Sequence, residues 1–159
     1  LIQDFTASAQ LLRSALDKVR YGNSPHVLDA LFAAMDGGFQ AATFRRVLFL
    51  VTTGLEGNSR VNEKEVIRLA RKNSISIYPV YATGVSRGMF ETLARGTGGA
   101  SFNLRDMSKS GDKHPAARIF ESARGYYTVT VWGNLGLSEK MKVEVKRQEK
   151  LLVSALPLD

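Results

Sequence analysis

The stretch Arg46-Val-Leu-Phe-Leu-Val-Thr-Thr-Gly-Leu-Glu56 constrains this chain most: six consecutive apolar or β-branched residues, Val47 to Thr52, run into hydroxyls and a glycine. The run is too short for a buried helix and is closed by a turn signal, so it reads as a strand covered on both faces, the central strand of a sheet. In open α/β sheets ligands sit beyond the carboxyl ends of the strands. Thr52, Thr53, Gly54 and Glu56 therefore hold the place where function is expected. They offer two hydroxyls and one carboxylate, with no adjacent Asp, His or Cys.

The segments on either side supply helices at regular intervals. Leu1 to Phe5 reads as the tail of a strand. Thr6 or Ser8 can cap a helix whose inner face is Leu11, Leu12, Ala15, Leu16 and Val19. Ser24 caps a second helix with Pro25 at its first position, where the missing N–H costs nothing. Val27, Leu28, Leu31, Ala34 and Met35 form its apolar side, and Gly37-Gly38 ends it. Beyond the central strand, Asn62 with Glu65 makes a capping box for a helix to about Lys72.

Ile75 to Tyr81 is a second strand, with Pro79 expected to interrupt or bulge it. Ser86 opens a helix with Phe90, Leu93 and Ala94 inward, and Gly96-Thr-Gly-Gly99 closes it before a short strand, Ala100 to Leu104. Strand, helix, strand, helix, strand in this order predicts parallel crossover units. Met107 to Lys113 reads as a polar loop, and Pro115 starts a helix that Gly125 stops. Tyr126 to Trp132, Lys140 to Lys146 and Leu151 to Ala155 read as β, the second alternating apolar Met141, Val143 and Val145 with charged neighbours, the period of a half-buried antiparallel strand.

At 159 residues the length fits one domain with a sizeable core. No apolar run reaches the ~20 residues of a membrane-spanning helix. Leu1 is not a start methionine, so the sequence reads as a fragment or a mature form, and no export signal is visible in it. The absence of cysteine excludes disulfides, thiolate catalysis and Cys-ligated zinc. A net charge of +7 would attract polyanions if it were clustered. Its densest stretch, Lys140 to Lys150, mixes Lys142, Lys146, Arg147 and Lys150 with Glu144 and Glu149, which describes a solvated strand face.

The order Gln3-Asp-Phe-Thr6, Tyr21-Gly-Asn-Ser-Pro-His-Val-Leu-Asp-Ala-Leu31, Arg46 to Gly54, and Leu93-Ala-Arg-Gly-Thr-Gly-Gly-Ala-Ser-Phe102 resembles the later two-thirds of a von Willebrand factor type A domain. It is most similar to the secreted bacterial subgroup related to that domain, often from acidobacteria, and the tail Ala123-Arg-Gly-Tyr-Tyr-Thr-Val-Thr-Val131 resembles the same subgroup. The resemblance implies a doubly wound, Rossmann-like and mostly parallel sheet flanked by helices over residues 1–124. Residues 125–159 would then be a C-terminal antiparallel β extension on the same domain.

The resemblance also implies a secreted or periplasmic location and a metal-ion-dependent adhesion site at the top edge of the sheet. Such a site uses an Asp-x-Ser-x-Ser loop, a Thr in a second loop and an Asp in a third, oxygen ligands suited to a hard Mg²⁺ ion. Here the Asp-x-Ser-x-Ser loop is absent, the expected Thr falls on Pro25 beside Ser24, and the expected acid is Thr53, with Glu56 farther along. The expectation is a degenerate adhesion site at Ser24, Pro25, Thr52, Thr53 and Glu56, without a cofactor, because too little negative charge remains to strip Mg²⁺ of its waters. Loss of the family's first strands would leave Arg46 to Thr53 as an apolar edge that invites pairing with another chain, by homo-oligomerisation or strand exchange.

The remaining candidates read structurally. His26 and His114 have no second ligand at metal spacing, Ser24 lacks a base and a Gly-x-Ser-x-Gly turn, and Asp29 is expected to hold the neighbouring loop backbone. Gly96-Thr-Gly-Gly99 follows a helix where a phosphate loop would precede one. Tyr78, Tyr81, Tyr126, Tyr127 and Trp132 at strand spacing suggest cross-strand packing rather than a stacking platform. No constellation supports an enzyme. The first functional reading is a noncatalytic adhesion module that takes a protein partner through its top loops or sheet edge; the second is a basic domain that binds nucleic acid or another polyanion.

Overall fold

The computed structural model describes residues 1–20, 22–39, 45–111 and 113–127, and singly 130, 132 and 146. The elements are helices α1 (Ala9–Leu16) and α2 (Val27–Gly37), strand β1 (Arg46–Thr52), α3 (Glu63–Lys72), β2 (Ile75–Tyr81), α4 (Arg87–Gly96), β3 (Phe102–Asn103), α5 (Leu104–Lys109) and α6 (Pro115–Arg124). They make a mixed α/β fold, with a three-stranded parallel sheet in the order β1-β2-β3 flanked by helices, compatible with a Rossmann-like fold. The expected strands Lys140–Lys146 and Leu151–Ala155 lie, apart from Lys146, outside the described residues. Of Tyr126–Trp132, the described Tyr126, Tyr127, Thr130 and Trp132 are exposed and not in a strand.

Alternation along the strands sorts the core into two layers. Leu48, Leu50, Ile75, Ile77 and Tyr81 turn to one face, where α2, α3 and α4 bring Leu31, Met35, Val66, Ala70, Phe90 and Leu93. Phe49 and Val80 turn to the other, against Phe102, Met107 of α5 and Ile119 of α6. Ile75, Ile77, Phe90 and Leu93 are completely buried, each contributing about 1.5–3 kcal/mol of apolar transfer. Tyr78 and Tyr81 separate accordingly: Tyr78 packs on Phe49 at 5.5 Å between ring centres, and Tyr81 stacks on Phe90 at 5.0 Å, so the tyrosines do not share one platform.

Several expectations need correction. The central position belongs to β2, all seven of whose residues are buried; among the described residues β1 is an edge strand, half-buried and with Val51 76% exposed. Pro79 does not interrupt β2. Ile77 donates its backbone N–H away from β1, to Thr97 Oγ1 at 3.0 Å, so Pro79, two residues on, also turns its missing donor away from β1 and no β1–β2 bond is lost. The third strand is only Phe102–Asn103, because the adjoining edge of β2 is already taken at Ile77 by Thr97 and Gly99.

Residues 104–109 are helical, where a polar loop was expected from Met107. Asn103 Oδ1 accepts from the N–H groups of Arg105 and Asp106, and Met107 is buried against the sheet. Leu1–Phe5 is not a strand, since among the described residues nothing pairs with it; Phe5 instead meets Phe39 edge-on. Ser8 caps α1 through Leu11 N–H, as expected, but α1 buries no residue, and Leu11, Leu12 and Leu16 stay exposed. The capping box at Asn62 and Glu65 forms in both directions, at 3.1 and 2.8 Å.

Candidate binding rim

The expected site lies beyond the carboxyl end of β1, in a loop held by backbone geometry. Thr52 Oγ1 accepts from Gly54 N–H at 3.3 Å. Gly54 adopts φ +103°, a left-handed conformation costly for any residue with a Cβ, and a Cβ there would strike the Thr83 carbonyl oxygen. The loop is stitched to the one after β2: Thr83 N–H donates to Thr53 O at 2.8 Å, Ser86 N–H to Gly54 O at 3.1 Å, and Glu56 N–H to Ser86 Oγ at 3.1 Å. Ser86 Oγ thus serves the neighbouring loop and makes no cap bond to α4.

The Glu56 side chain reaches the other way, its Oε2 accepting the Val27 N–H at the start of α2 at 2.9 Å. This corrects the expected cap. α2 starts at Val27 rather than Pro25, His26 makes no side-chain cap bond, and a carboxylate 29 residues away supplies the acceptor that Ser24 was expected to give. A negative group at this end is favoured by the helix dipole as well as by the hydrogen bond. Asp29 performs the role foreseen for it: Oδ1 accepts from Arg60 and Val61 N–H at 2.9 and 3.1 Å, strapping the loop after Glu56 onto α2. His26 Nδ1 lies 3.1 Å from Asn58 O in the same strap.

Of the expected site residues, Thr52, Thr53 and Glu56 share one loop, and Pro25 meets it through its carbonyl, which a Cβ on Gly57 would strike. Thr53 and Ser24 are exposed. The donor set does not fit Mg²⁺. Its members are hydroxyls and a single carboxylate with one oxygen already committed to Val27, and the nearby Asp29 has Oδ1 engaged by two backbone N–H groups. Among the described residues no three His, Asp or Glu side chains gather in a way that could hold a metal. Glu56 Oε1 and Thr83 Oγ1 are buried without a hydrogen-bond partner among the described residues.

A second concavity, which the sequence reading did not find, opens beyond the carboxyl ends of β2 and β3. It encloses about 350 Å³ and is lined by Tyr81, Arg87, Glu91, Asn103, Asp106 and Arg118 with Ser101, Phe102, Met107 and Ser110. Arg87 is its pivot, donating from Nε to Glu91 at 2.7 Å and from Nη1 to Asp106 at 3.2 Å, so one guanidinium ties α4 to α5. The hydrogen bond from Arg87, with its charge and that of Arg95, holds the Glu91 carboxyl below its usual range against an opposing desolvation. Burial pushes the Tyr81 hydroxyl up, opposed by a hydrogen bond with Ser101, and keeps it neutral. Only the Arg87–Glu91 pair, at helical i,i+4 spacing, was visible in the sequence; Asp106 arrives through β3 and α5.

The fold and this rim define a parallel α/β protein whose loops beyond the strand ends are tied together by backbone hydrogen bonds. No protein-family model matches the chain, and no curated protein matches it. Among the described residues no helix is long and apolar enough to cross a membrane.

Proposed function

We propose that this chain is a noncatalytic interaction module of the von Willebrand factor A type, whose degenerate adhesion rim recognises a protein partner by shape, hydroxyls and backbone groups rather than through a shared metal ion. A doubly wound sheet, with residues 125–159 as its antiparallel extension, and a secreted or periplasmic location belong to the same reading. Support comes from the two crossovers β1-α3-β2 and β2-α4-β3. The observation that carries it is the commitment of both rim acids to backbone N–H groups, Glu56 to Val27 and Asp29 to Arg60 and Val61. Neither carboxylate is left whole to bridge a cation to a partner.

Calorimetric titration with MgCl₂ tests this. The expected result is no saturable heat at micromolar affinity, and a melting temperature that is the same in millimolar Mg²⁺ and in EDTA. Micromolar Mg²⁺ binding that is abolished by Glu56→Gln would overturn the metal-independent reading.

A further inference from the structure

We propose that the cleft between the carboxyl ends of β2 and β3 is a binding site for a neutral, hydroxyl-rich ring: a single pyranose unit. This inference is independent of the reading of the rim, because Ser24, Pro25, Thr52, Thr53 and Glu56 do not line the cleft.

Charge selects against ions of either sign. Arg87 and Arg118 line the same space as Glu91 and Asp106, with Arg87 held against both carboxylates, so an ion of either sign meets like charge there as well as opposite charge. A sugar hydroxyl, by contrast, donates and accepts at once, and suits a wall where donors and acceptors alternate. Such a wall is present. Arg87 uses only two of its N–H groups, on Glu91 and Asp106, and the others have no partner among the described residues. Asp106 engages Arg87 through Oδ2 alone, leaving Oδ1 as an acceptor. Asn103 is oriented by its cap, with Oδ1 bound to the Arg105 and Asp106 N–H groups, which leaves its NH₂ to donate.

These groups are preorganised. The ion pairs fix Arg87 between two helices, the cap fixes Asn103, and Tyr81, 1% exposed, stays a neutral hydroxyl. Less ordering is then left to be done when a ligand arrives than for unpaired side chains. Phe102 and the buried Met107 add apolar surface against which the C–H face of a ring can lie. A volume of about 350 Å³ is at the small end of ligand sites, the scale of one ring rather than a dinucleotide.

The test is saturation-transfer and chemical-shift NMR on the whole chain, with D-glucose, D-galactose, D-mannose and N-acetyl-D-glucosamine as probes, and glycine and inorganic phosphate as charged competitors. At least one sugar is expected to bind with millimolar affinity and to shift resonances of Arg87, Asn103 and Asp106. Asp106→Ala is expected to weaken that binding roughly tenfold or more, the size of one charge-assisted hydrogen bond. Ser110→Trp, which fills the cleft from an exposed position, is expected to abolish it while leaving the melting temperature in place. Silence from all four sugars, sugar shifts that survive both substitutions, or phosphate or glycine binding where sugars do not, would each overturn the assignment.

Discussion

Glu56 is the residue on which the rim turns, and its role follows from where its two oxygens go. Oε2 closes the amino end of α2 through Val27 N–H, while the residue's own backbone N–H donates to Ser86 Oγ, so a single residue couples the loops after β1 and β2 to α2. Its partner Oε1 is buried without a hydrogen bond among the described residues. Glu56→Ala is expected to lower stability in urea by about 1–2 kcal/mol, the worth of a cap with its dipole contribution. Glu56→Gln, which retains an oxygen to accept from Val27, is expected to lose less. An alanine variant as stable as the parent in that melt would show that the contact to Val27 carries no energy.

At the scale of elements, the helices whose signals are local were legible and those whose signals are distant were not. The capping box of α3 sits within four residues, and Pro115 and Gly125 bracket α6 from its two ends, so sequence spacing sufficed. The start of α2 was misplaced at Pro25 because its acceptor comes from Glu56, across the sheet edge. α5 was missed because its cap lies in the residue that ends β3 and its one buried anchor is Met107. Pro79 misled for a related reason: which way a strand residue points its N–H depends on neighbours that the sequence does not name. The rim residues were found from the strand-end rule, whereas the cleft needed Asp106 to be carried beside Arg87 by two intervening elements.

Thr97 shows how such a junction is held. It is completely buried at the end of α4, accepts from Ile77 N–H and donates to Leu93 O, so one hydroxyl joins helix to central strand. Thr97→Val, nearly isosteric, leaves the Ile77 N–H buried and unpaired and is expected to cost about 1–3 kcal/mol in chemical denaturation, with Thr97→Ser retaining most of the stability.

For the whole molecule, the consequence is at the side of β1 away from β2, which no strand among the described residues pairs with. Val47 to Val51 is a run without Lys, Pro or a bulge, the devices that ordinarily blunt an edge strand, and Val51 is 76% exposed there. On the same face of the strand as Val51, Phe120 packs on Phe49 at 5.3 Å between ring centres and is itself 59% exposed, extending the apolar surface beside the edge. A net charge of +7 opposes close approach of two copies, but unit charges more than about 10 Å apart are screened at 0.1 M salt, so association through this edge should strengthen as salt is added. A polyanion-binding domain behaves oppositely, losing its partner as salt rises. Sedimentation velocity separates the two: the weight-average sedimentation coefficient of the parent is expected to rise with protein concentration, and more so at higher salt. Val51→Lys is expected to hold it at the monomer value, with stability changed by no more than about 0.5 kcal/mol at so exposed a position. A parent that stays monomeric at every concentration, or a lysine variant that associates as the parent does, would remove the edge from consideration as a contact surface.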